Sequence, residues 1–101
     1  MGQERVVSFD GSPPEWDAIR TKLAERGIAA TIRMIDGLPA FPDEVPEPGW
    51  KEVRVGFAPG MVTLRRGSNR LTCLVWGNAD AALLASWEAL AEACAAAGHT
   101  G

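Results

Sequence analysis

Few residues in this sequence can do chemistry, and their placement argues against catalysis. The single histidine, His99, lies beyond the last patterned segment. Ser8, Ser12, Ser68 and Ser86 therefore have no imidazole base within the patterned part of the chain, which excludes a Ser-His-Asp arrangement. Cys73 lacks the same partner, and tyrosine is absent. Asp10, Asp36, Asp43, Glu44 and Glu47 fall in loops or at strand ends, where carboxylates are ordinarily solvated, and their spacing matches no calcium-binding loop. Two cysteines and one histidine cannot furnish the four ligands of a structural zinc site. Cys73 and Cys94 both occupy inward positions and read as buried thiols packing like small hydrophobes. No catalytic residue, metal ligand or cofactor is assigned. The enzyme class is left open, with binding the favoured role.

The chemistry that remains is recognition. Arg33, Arg54 and Arg65 alternate with Thr31, Thr63 and Thr72 on what the strand pattern makes one sheet face, together with Val6, Ile35, Leu74 and Trp76. A guanidinium offers a fork of donors to an anion, and an indole beside it supplies a flat apolar surface. Leu74 and Trp76 are costly to leave wet, since burying a large apolar side chain is worth roughly 1.5–3 kcal/mol.

Alternation with period two fixes the elements that carry these residues. Val53, Val55 and Phe57 mark one strand, Val62 and Leu64 a second, and Leu71, Cys73 and Val75 a third. Ala58-Pro59-Gly60-Met61 supplies the first turn, with glycine taking positive φ at the third position, and residues 66–70 supply the second. Residues 5–10 and 29–35 alternate in the same way. The inward face is expected to hold Val7, Phe9, Ile32, Met34, Val53, Val55, Phe57, Val62, Leu64, Cys73 and Val75.

Two helices complete the set. Ser12-Pro13-Pro14-Glu15 has the form of a reciprocal capping box with proline at the first helical position. Trp16, Ile19 and Leu23 form one apolar stripe, and Gly27 is the left-handed stop. Asn78 or Asp80 caps the second helix, whose stripe is Leu83, Trp87, Leu90 and Cys94, and Gly98 ends it. Residues 36–50 carry Pro39, Pro42, Pro46 and Pro48, which exclude a helix or a central strand.

The expected fold class is thus α+β: a single antiparallel four- to five-stranded sheet with two helices on one face, in the order β-α-β-(β)-β-β-β-α. This order resembles the single repeat of the TATA-binding-protein fold, in which two helices cover one face of a curved sheet. The resemblance is topological and carries no functional residue. Residues 1–98 are read as one domain with a proline-rich loop at 36–50, and 99–101 as a flexible tail. At 101 residues the chain has room for one core. A net charge of −3 gives no general affinity for phosphate backbones or anionic membranes. No apolar run approaches the ~20 residues of a membrane span, and the N-terminal residues lack a signal-peptide pattern. A cytoplasmic setting is expected.

Three covers suit the arginine-bearing face. The proline-rich loop brings Asp43, Glu44 and Glu47 with Phe41 and Trp50, although a loop that merely skirts the edge fits as well. A second copy of the chain would bury both sheets face to face, and two-fold pairing is the commonest assembly. Single-stranded nucleic acid needs stacking partners, and Trp76 alone is placed to stack on an acidic chain, so nucleic acid is set aside. The favoured reading is a small domain that binds or self-assembles as a homodimer through the open face, with Arg33, Arg54, Arg65, Leu74 and Trp76 as its contact residues. The alternative is a small-ligand binder or enzyme with an anion pocket between the proline-rich loop and the sheet arginines.

Overall fold

The structure, a computed structural model, describes residues 2–41, 44–77 and 79–98. The expected tail at 99–101, with His99, lies outside the described residues. Elements follow in the order β1 (Gln3–Ser8), α1 (Trp16–Glu25), β2 (Thr31–Ile35), β3 (Leu38–Pro39), β4 (Glu52–Phe57), β5 (Gly60–Arg66), β6 (Arg70–Val75) and α2 (Ala81–Gly98). The fold is α+β, one antiparallel sheet with strand order β1-β6-β5-β4-β2-β3 and two helices.

The sheet has six strands where four to five are expected; the expected order β-α-β-(β)-β-β-β-α, with its bracketed strand formed, is the observed one and itself holds six. The bracketed strand of the expected order is β3 (Leu38–Pro39), made by a tight hairpin in which Ile35 pairs with Leu38 across Asp36-Gly37. Both turn residues have positive φ, 50° and 84°, the backbone that two-residue hairpins require and that Asp-Gly supplies. The Asp36 carboxylate then accepts the amides of Lys51 and Glu52 at 2.8 and 2.9 Å, tying the hairpin to the start of β4.

A single core lies between the helices and one sheet face. It joins Trp16, Ile19 and Leu23 of α1 and Trp87, Leu90 and Cys94 of α2 to Ile32, Val53, Val55, Val62, Leu64, Leu71, Cys73 and Val75. Trp87 also donates its indole N–H to the Cys73 carbonyl at 2.8 Å, which anchors α2 to β6. Cys73 and Cys94 are fully buried free thiols, and the Cys73 thiol beside it, together with burial, pushes the Cys94 thiol well up.

Three local expectations need correction. The capping box at Ser12 does not form: α1 starts at Trp16, with Glu15 extended at the cap position and making no side-chain cap bond. Ser12 and Pro13 each precede a proline, which disfavours the helical region for both, so the helix begins only after the pair. Gly60 does not take positive φ; the described glycines that do are Gly27, Gly37 and Gly49. Ala58 and Pro59 make the turn, and Gly60 opens β5 opposite Phe57, where a Cβ would stand 3.2 Å from the Leu83 side chain of α2. Finally, Met34 and Ile35 exchange faces. The β2–β4 register shifts between Ile32 and Met34, so Met34 opposes Arg54 and Ile35 opposes Val53. A bulge at Arg33 inserts one residue and reverses the alternation beyond it, which brings Ile35 against the core.

The stop of α1 and the start of α2 behave as read. Gly27, at φ 74°, closes α1, with Ile28 N–H on Leu23 and Gly27 N–H on Ala24, the paired bonds of a left-handed stop. Asp80 caps α2 by accepting the Leu83 amide at 2.9 Å; Asn78 lies outside the described residues.

Candidate functional site

The open sheet face is built by the residues that alternate with the core. One row crosses it from β1 to β4: Glu4 opposes Leu74, Leu74 opposes Thr63, and Thr63 opposes Arg54. The next row along the strands is Val6, Thr72, Arg65 and Glu52. On the other side, Met61 opposes Gly56, and Trp76 continues β6 beyond Val75, with its ring against Gly2.

Leu74 and Trp76 have different fates on this face. Leu74 is 7% exposed although it stands outside the helix-side core. β6 is an interior strand, so the side chains of β1 and β5 wall Leu74 on both sides, and Thr63 beside it is buried as well. Trp76 is 58% exposed, with Met61 at 47% level with it on β5, while Val6, at 50%, is exposed at the opposite end of the face. The face therefore has a dry centre and a wet aromatic at one end.

The three arginines also divide. Arg65 is paired at home, its Nε donating to Glu52 Oε2 at 2.8 Å. Arg33 and Arg54 are exposed and meet no carboxylate among the described residues. Arg33 lies across Gly56, where a Cβ would stand 2.9 Å from its Nε; glycine is what leaves room for the arginine side chain to cross there. Arg33 also borders a shallow depression of about 530 Å³ with Gly56 and Met61.

The proline-rich loop is anchored on the helix side. Trp50 is buried in the core, Pro46 is buried beside it, and Phe41 and Val45 stay exposed. A cleft of about 580 Å³ separates Asp36 from Glu44, Glu47 and Trp50. Arg33, Arg54 and Arg65 are not among its lining residues. The loop carboxylates and Arg33 thus border different depressions. Pro42 and Asp43 lie outside the described residues.

Glu4 and Met61 belong to this face and were not among the candidates. The alternation that places Val6 and Val62 also places them, because Glu4 shares a face with Val6 and Met61 is one step from Val62. Comparison with protein-family models, curated proteins and solved structures finds no match.

Proposed function

We propose that this chain is a small binding domain that self-assembles as a homodimer through the open face of its sheet. The observation that carries the reading is Trp76, more than half exposed at the end of a face whose centre, Leu74 and Thr63, is already dry. Exposed aromatics beside arginines suit interface centres, and isologous pairing is the simplest closed assembly. The two free buried thiols favour a reducing, cytoplasmic setting. No described helix is long and apolar enough to cross a membrane. Without the two-residue β3, the strand sequence β1-β6-β5-β4-β2 supports the topological resemblance to a TATA-binding-protein repeat.

Arg33 and Arg54, which meet no carboxylate among the described residues, favour a second reading, capture of a small anionic ligand on the sheet. The loop cleft itself is walled by carboxylates, which favours no anion there.

Trp76→Glu tests the first reading. It places charge at the wet end of the face and is expected to give a folded monomer where the unmodified chain is a dimer. A folded variant that keeps the dimer mass overturns the assignment of this face. A variant that unfolds would place Trp76 in the core, against its exposure.

A further inference from the structure

The open face is self-complementary in charge, and we infer that two copies pair about a two-fold axis running parallel to the strands between β5 and β6, with Glu4 of each copy on Arg54 of the other. This inference rests on the homodimer reading and adds the geometry of the contact. The row across the face reads Glu4, Leu74, Thr63, Arg54: acid at one end, base at the other, a dry pair in the middle. Three strand spacings, about 14 Å, separate Glu4 from Arg54, too far for a contact within one copy. Arg5 of β1 approaches Glu88 of α2 on the helix face, which leaves its neighbour Glu4 on the open one. Glu4 and Arg54 both lack an ion-pair partner among the described residues.

Symmetry restricts how two such faces meet. An axis in the interface and parallel to the strands reverses the order across the sheet and allows no slip along the strands. Placed between β5 and β6, it sets Leu74 on the partner's Thr63 and Glu4 on the partner's Arg54, twice. The same operation brings Trp76, whose ring lies against Gly2, to the partner's Met61 and to the partner's Arg33, which lies across Gly56. Sulfur and guanidinium are both favourable neighbours for an indole face. An axis perpendicular to the strands and through this row would instead set Glu4 on Glu4 and Arg54 on Arg54. Like charges in apposition disfavour that pairing.

Charge exchange tests the geometry. Glu4→Arg alone and Arg54→Glu alone each place two like-charge contacts in the homodimer, and each is expected to raise the dissociation constant at least roughly tenfold. Mixed in equal amounts, they restore both contacts, because Arg at position 4 meets Glu at position 54 while native Arg54 meets native Glu4. Native mass spectrometry should then show a dimer containing one of each, with affinity within about threefold of the unmodified chain. If the unmodified chain is a dimer and the mixture shows no preferential pairing, this axis is wrong while the dimer stands. If the unmodified chain is a monomer, the homodimer reading itself fails and takes the axis with it. Circular dichroism confirms folding, and the pair Glu4→Lys with Arg54→Asp repeats the exchange should either variant unfold.

Discussion

The guanidinium of Arg66 lies over the Trp50 ring, its central carbon 5.4 Å from the ring centroid. The same side chain reaches Glu15 Oε2 at 2.7 Å and, more loosely, the Pro13 carbonyl at 3.5 Å. One arginine at the end of β5 thus joins the last residue of the proline-rich loop to the segment that opens α1. The Arg66 side chain is only 13% exposed, so its stem contributes packing as well as charge.

Replacing Arg66 should therefore cost more than a surface change. Arg66→Lys keeps the charge but loses the planar stack and the fork, and is expected to destabilise by about 1–2 kcal/mol. Arg66→Ala should lose about 2–3 kcal/mol. Urea unfolding measures both, and losses within ~0.5 kcal/mol, the range of ordinary surface changes, would show that the junction pins nothing.

Gly98 closes α2 against Phe9, and a Cβ there would collide with the Phe9 ring. Alanine is ordinarily the better helix former by roughly 1 kcal/mol. Here the sign should reverse: Gly98→Ala is expected to destabilise by about 1–3 kcal/mol through overpacking. In a Phe9→Ala background the same substitution should be neutral or stabilising. Equal effects in both backgrounds would contradict the contact.

Asp36 ties stability to acid pH. The amides of Glu52, first, and Lys51 hold its carboxyl below the ordinary value of 3.8. A depressed folded value stabilises above the unfolded value, and that contribution disappears as pH falls through the folded one. Asp36→Asn keeps an acceptor oxygen and tolerates the left-handed backbone, but it cannot titrate. Its urea midpoint should fall less than the parent's between about pH 5 and pH 2. Identical acid dependence in the two proteins would contradict the role given to these bonds.

The parts of the fold legible from sequence were those where one pattern dominates. Val53 to Phe57, Val62 to Leu64 and Leu71 to Val75 alternate cleanly, and Gly27 and Asp80 stop and start helices by local chemistry alone. Reading failed where two signals compete. Four prolines between residues 36 and 50 masked Asp36-Gly37, itself a strong hairpin signal. Met34 and Ile35 are both apolar, so alternation is silent about the bulge that swaps them. At Ser12 the capping motif was present, but the following prolines removed the backbone it needs. On the site, alternation placed Arg33, Arg54, Arg65, Leu74 and Trp76 on the open face. It could not show that β1 and β5 dry Leu74, or that Glu52 satisfies Arg65, because both depend on which strands are neighbours.

Sedimentation equilibrium of the unmodified chain over a wide dilution series tests the central claim most directly. Assembly through the open face predicts a mass that rises with concentration from one chain to two and goes no higher, as two-fold closure requires. A mass that stays at one chain up to millimolar concentration would contradict it, and Arg33 and Arg54, which meet no carboxylate among the described residues, would then have to be explained by an anionic ligand.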